Sequence, residues 1–265
     1  MYKSMNFFPN KITIFLFILG FLTSCKKEIE SSEQNFLQTP AVSLQPKSST
    51  NQVVIHDNYT LSYSEKHEQA EWVAYTLKQN YGKGNNFDRP FFIEDKKVRT
   101  RSADWRNYKN SGYDKGHLCP AADMKFSKKA FEDTFFTSNI SPQKHDFNEG
   151  VWNRLEQKIR YWATKYGEVY VVTGGVLTDG LKKIGKEKVS VPNYFYKIVA
   201  TKNNGKLKMI AFLIPHKESK QPLYTFVVPV DSIEQMTKVD FFPQLEDKFE
   251  NQLEKNKDYK DWSFN

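Results

Sequence analysis

Four runs of β-branched and aromatic residues, Val169–Thr173, Tyr194–Thr201, Lys208–Ile214 and Tyr224–Val230, are each bounded by Gly, Pro or Asn. Such runs read as strands. Stretches of helical period fall around them without regular alternation, so the pattern predicts an α+β domain with a mainly antiparallel central sheet and flanking helices. Tyr59–Ser64 alternates as a further strand, whereas Glu65–Gln79 sets Ala70, Val73, Ala74 and Leu77 at helical spacing and is expected to form a short amphipathic helix. Helical spacing returns over Asn148–Trp162, Ser232–Thr237 and Pro243–Leu253. With two cysteines in 265 residues, the chain has no disulfide scaffold and no zinc site of three or four thiolates. Its stability must come from a packed apolar core, and a bound metal would take oxygen and imidazole ligands.

Residues 1–24 carry Lys3 and Lys11, no acid, and the apolar run Ile14–Leu22, which has the length of a signal h-region and is short for a membrane span. The run stops at Leu22-Thr23-Ser24-Cys25, which resembles the lipobox of bacterial lipoproteins. The expectation is therefore a signal peptide over 1–24 and a lipidated Cys25. That would make an exported protein anchored to a membrane in the periplasm or at the cell surface of a bacterium; a plain secretory signal is the competing reading. Residues 25–51 are rich in Ser, Gln, Glu and Lys and read as a flexible tether, leaving 52–265 as one folded domain. A formal net charge of +8 favours a polyanionic partner without identifying it.

The densest unusual segment is Tyr113-Asp114-Lys115-Gly116-His117-Leu118-Cys119-Pro120-Ala121-Ala122-Asp123-Met124. Adjacent charges followed by Gly and His are costly in a buried strand unless each is paired or solvated. A histidine near its ordinary pKa of ~6.5 accepts a proton at neutral pH, with Asp114 or a backbone carbonyl available to hold its other nitrogen. A structural histidine in a turn is the alternative. Downstream, Asn148, Trp152, Leu155, Glu156 and Ile159 share one face if the segment is helical. Two polar groups on a core-facing stripe need partners, and a hydrated cation would serve. Asn148 as a simple N-cap and Glu156 as a partner for Arg160 is the plainer account.

Taken together, Asp114-Lys115-Gly116-His117, Pro120-Ala121-Ala122-Asp123-Met124, Asn139, Pro142-Gln143, Asn148, Trp152 and Leu155-Glu156 resemble the DNA/RNA non-specific endonuclease family. These are the ββα-metal, or His-Me finger, nucleases. The resemblance implies that His117 is the general base, Asn148 the direct ligand of Mg2+ (or of Mn2+ or another divalent ion), and Asn139 and Glu156 groups that orient the histidine loop and the metal's waters. Lys115 stands where the family usually has arginine and would contact phosphate as a point charge instead of a fork. The resemblance further implies DNA or RNA as substrate, 5′-phosphate products and a possible homodimer.

The basic stretch ahead of the motif offers Arg99, Arg101 and Arg106, with Lys96 and Lys97, as sequence-indifferent phosphate contacts, and Trp105 and Tyr113 as stacking surfaces. Two further readings stay open: a non-catalytic polyanion-binding lipoprotein of the same fold, and a phosphodiesterase acting on small nucleotides. Gly180 to Glu187 nearly matches a phosphate loop, but Glu187 replaces the required hydroxyl. His56, His67, His145 and His216 are scattered and define no triad or zinc site.

Overall fold

The computed structural model describes residues 44–264 apart from residues 204–205. The expected signal peptide, Cys25 and most of the expected tether lie outside the described residues.

The strands are β1 (Val53–Ile55), β2 (Thr60–Ser64), β3 (Gln69–Lys78), β4 (Asp114–His117), β5 (Ile140–Gln143), β6 (Glu168–Gly175), β7 (Lys183–Ile184), β8 (Val189–Ser190), β9 (Tyr194–Asn203), β10 (Lys206–Pro215) and β11 (Val227–Val228). Seven of them form one sheet in the order β1-β2-β3-β6-β9-β10-β11, and every neighbouring pair is antiparallel. Both faces are covered. Val73, Tyr75, Leu77, Val171 and Val199 pack on one side, and Trp72, Ala74, Val172, Ile198 and Ala200 on the other.

The expected helix over Glu65–Gln79 is instead β3, a ten-residue central strand. A strand buried on both faces loses its period-two signature, because apolar residues then occupy both parities and imitate a helical stripe. Its aromatic and β-branched content, Trp72, Val73, Tyr75 and Thr76, was the contrary signal. The expected strand Tyr224–Val230 also shrinks. Between Pro222 and Pro229 the chain makes a 3-10 turn over Leu223–Phe226, pairs only Val227 and Val228 with β10, and then enters a helix.

The helices of six or more residues are α1 (Lys128–Asp133), α2 (Asn153–Tyr166), α3 (Val230–Thr237) and α4 (Asp247–Glu254) among the described residues. Helix α2 lays Leu155, Ile159, Trp162 and Ala163 on the first sheet face, and α3 lays Val230 and Ile233 on the opposite one. Each large apolar side chain buried this way contributes roughly 1.5–3 kcal/mol, so packing rather than helix propensity holds these helices.

Residues 44–51, assigned to the tether by their polarity, are packed against the sheet. Leu44 is buried and its carbonyl accepts from Tyr170 Oη at 3.0 Å; the Ser49 amide donates to the buried Glu71 at 2.9 Å. Composition suggested solvated serines, but here they satisfy a buried carboxylate.

Candidate active site

Strands β4 and β5 form a separate two-stranded ribbon in which Asp114 faces Gln143, Lys115 faces Pro142, Gly116 faces Ser141 and His117 faces Ile140. Strand alternation puts Lys115 and His117 on one side and Asp114 and Gly116 on the other. Only glycine fits at 116, because a Cβ there would lie 2.2 Å from the Gln143 side chain. Phe92 touches both residues of the first side: Lys115 Nζ is 5.2 Å from its ring centroid and the His117 ring 5.6 Å. Phe135 meets His117 edge-on at 4.9 Å.

No hydrogen bond reaches either ring nitrogen of His117 among the described residues, and Nε2 is buried without a partner. Asp114, offered by the sequence as a brace for this ring, is engaged elsewhere. Burial drives the His117 pKa down to about 3, helped by the positive charge of Arg89, so the imidazole is held neutral with a lone pair available. Arg89 lies 5.6 Å from the Phe135 ring centroid and forms no ion pair among the described residues. It belonged to the basic stretch in the sequence, yet nothing local set it apart from its neighbours.

Asn148 opens a π turn, Asn148–Trp152, that precedes α2 and contains the non-helical Gly150. The helix expected from Asn148 onward is thus interrupted, and the i, i+4, i+8 count does not run unbroken from Asn148 to Glu156. A Cβ on Gly150 would strike the Glu218 carboxylate, which accepts from the Val151 amide at 3.0 Å and so caps the break. Asn148 is not an N-cap: its Nδ2 donates to Asp114 Oδ2 at 3.0 Å, and its Oδ1 has no hydrogen bond among the described residues. His145, set aside as scattered, shares that carboxylate at 3.0 Å and faces Glu149 at 3.2 Å; the Asp114 hydrogen bond and charge raise its pKa. His216 secures the entry to this segment, accepting from the Lys144 amide at 2.7 Å while its Nδ1 donates to the Pro192 carbonyl at 2.8 Å.

Behind the histidine strand lies a buried charged network. Asn139 Oδ1 accepts from the Cys119 amide at 2.8 Å, and its Nδ2 donates to the Cys119 and Thr134 carbonyls at 2.9 Å each. It clamps the loop that follows His117, spending both amide N–H groups and one lone pair of Oδ1 on the backbone. Glu156 makes no hydrogen bond among the described residues. Burial raises its pKa, opposed by Lys197, with Asp123 adding to the rise and Arg160 countering it. Arg160 does not serve Glu156 as a hydrogen-bond partner; it donates to Asp123 at 2.8 Å. Lys197, which the sequence left without a role, is fully buried, donates to the Leu118 carbonyl and to Thr173 Oγ1 at 3.2 Å each, and sits 4.5 Å from the Trp152 ring centroid.

The three candidate arginines stand apart from these groups. Arg99 lies 3.9 Å from Glu65 and Arg101 3.6 Å from Glu94, and Arg106 forks onto Asp104. None contacts His117 or Asn148 among the described residues. The near phosphate loop is a hairpin turn between β7 and β8, where Glu187 accepts from the Asp104 amide at 2.9 Å.

A sequence model of the DNA/RNA non-specific endonuclease family matches residues 38–248. Mitochondrial endonuclease G of Homo sapiens is 33% identical over 212 residues, covering 73% of this chain and 70% of that protein. Its Bos taurus counterpart is 32% identical over 203 residues, covering 71% and 68%. The mitochondrial nuclease EXOG of Danio rerio is 33% identical over 208 residues, covering 72% and 61%. A solved structure of the EndoG/EndoGI complex superposes with a TM-score of 0.68 at 30% identity, covering 74% of this chain and 87% of that one. An antiparallel sheet with flanking helices, a β4–β5 ribbon bearing a neutral histidine, and a match over most of the chain agree, and the chain belongs to the DNA/RNA non-specific endonuclease family, a nuclease of the ββα-metal fold.

Proposed function

We propose that this nuclease cuts DNA, RNA or both internally and without sequence preference, using His117 as general base and a divalent ion, magnesium by preference, held by Asn148. The single observation that carries the reading is the bond from Asn148 Nδ2 to Asp114, three residues before the unpartnered His117 on the same strand. The donor chemistry fits a hard cation: the Asn148 amide oxygen has no hydrogen bond among the described residues, and Glu156 would be the group that orients the ion's waters. When bound, such an ion supplies positive charge to a non-bridging phosphate oxygen and to the departing 3′ oxygen.

His117 takes the proton of the attacking water as the new P–O bond forms on the side opposite the leaving group. The P–O3′ bond then breaks, the departing 3′ oxyanion takes a proton from water and His117 returns its own to solvent, leaving 5′-phosphate and 3′-hydroxyl ends. Lys115, on the same side of β4 as His117, holds the phosphate as a point charge. Arg99, Arg101 and Arg106 have exposed guanidinium groups, so each can exchange its carboxylate for phosphate in a salt-sensitive contact.

Plasmid nicking with and without EDTA tests the reading, beside the same assay on bis(p-nitrophenyl) phosphate. Metal-dependent nicking of the polymer with little turnover of the small ester supports it, and nicking that survives EDTA overturns it. Export and attachment through a lipidated Cys25 form a separate proposal resting on the Leu22–Cys25 motif. Cys25→Ser should move the protein from the membrane to the soluble fraction, and unchanged membrane association refutes that proposal.

A further inference from the structure

On the sheet face opposite α2, helices α3 and α4 bring acidic groups together. Asp231 and Glu234 on α3 and Glu254 at the end of α4 each place a carboxylate oxygen within 4.8 Å of the others. Glu254 is only 5% exposed, and its Oε1 is buried with no hydrogen-bond partner; Oε1 of Glu250, one turn earlier on α4, is in the same condition. Glu234 is held by the Phe241 amide at 2.8 Å, which fixes one member of the group. No lysine or arginine forms an ion pair with any of the four among the described residues.

Several carboxylates in so little space, with no base among them, cannot all stay charged unless something positive joins them. Burial first, and then the charge of Glu234, pushes Glu254 up to about 9; burial and Asp240 push Glu250 to about 7. Protons or a cation could relieve the repulsion, and the spacing chooses between them. Carboxyl groups sharing a proton approach to about 2.5–2.7 Å, yet no hydrogen bond links Glu234, Glu250 and Glu254 to one another among the described residues. Oxygens spread within 4.8 Å of one another match the ligand edges of a cation bound at about 2.3–2.6 Å.

We propose that Asp231, Glu234 and Glu254, with Glu250 at the margin, form a second divalent-cation site, suited to calcium, that pins α4 to α3. Calcium is the better occupant because the donors are all oxygen and irregularly placed, whereas magnesium demands a near-ideal octahedron and keeps its waters. The site is structural: it lies across the sheet from α2 and shares no residue with the nuclease centre.

The test is calorimetric titration of the full chain with calcium chloride, in an Asn148→Ala background that removes the catalytic ligand, with thermal melting alongside. One saturable calcium per chain and a raised Tm are expected, with both lost in Glu254→Gln and in Asp231→Asn. These near-isosteric changes relieve repulsion and leave the fold intact by circular dichroism. Glu254→Gln with His117 and Asn148 intact should nick plasmid normally. Absence of calcium binding in the Asn148→Ala chain, binding that survives both carboxylate substitutions, or a Tm that rises on acidification but ignores calcium at pH 8 would each overturn the proposal.

Discussion

Asn148 donates from Nδ2 to Oδ2 of Asp114 at 3.0 Å. The bond joins the turn before α2 to the strand that carries His117 and fixes which end of the amide is spent. Oδ1, the atom able to ligate a hard cation, is left without a hydrogen bond among the described residues.

Asp114→Ala should therefore leave the fold in place but loosen the Asn148 amide. The metal concentration needed for half-maximal nicking is expected to rise about 10–100-fold, the usual cost of losing a group that orients a ligand. Asn148→Ala should abolish nicking at ordinary metal concentrations. A metal titration of the nicking rate reads both, and an unchanged curve for Asn148→Ala would remove it from the ligand set.

His117→Ala should lower the nicking rate by about 10²–10⁴ while gel-shift binding of DNA persists, because the ring moves a proton and does not anchor the polymer. Retention of a near-normal rate would identify another base.

Arg89 depresses the His117 pKa through its charge, so Arg89→Ala raises that pKa. The base works only when neutral, above its pKa, so the acid limb of the pH–rate profile should move to higher pH in Arg89→Ala. A profile that stays put, or moves to lower pH, would show that the two charges are not coupled.

Lys115 and His117 both lie against Phe92, a surface that an arginine can also cover. Lys115→Arg should hold or raise kcat, since a planar fork grips phosphate in two places. A large loss would mean that the compact ammonium is required.

Lys197 is fully buried beside the Asp123–Arg160 pair and Glu156. Removing one cation from a buried network leaves the remaining charges uncompensated, so Lys197→Ala should destabilise the chain by about 3–5 kcal/mol. Urea unfolding measures this, and a change under ~1 kcal/mol would show that Glu156 and Asp123 are neutral without it.

The His117 motif, the Asn148 segment and the long antiparallel strands of the second half were legible because each is written in contiguous residues. The central strand β3 was not. Burial on both faces erased its alternation, and its neighbours β2 and β6 are supplied by distant parts of the chain. Asn139 was expected to orient the histidine loop and the metal's waters; how it clamps that loop is visible only from its bonds to Cys119 and Thr134.

Residue order alone determined the fold class and singled out His117 and Asn148 as the proposed base and metal ligand, since local spacing and side-chain chemistry carry that information. The tertiary fold decided which charges act together. Three arginines near in sequence turn to carboxylates, while Arg89, Lys197 and His145, to which the sequence assigned no role in the site, reach His117, the network behind it and Asp114. Coulomb interaction and desolvation depend on distance and burial in space, and neither is set by separation along the chain.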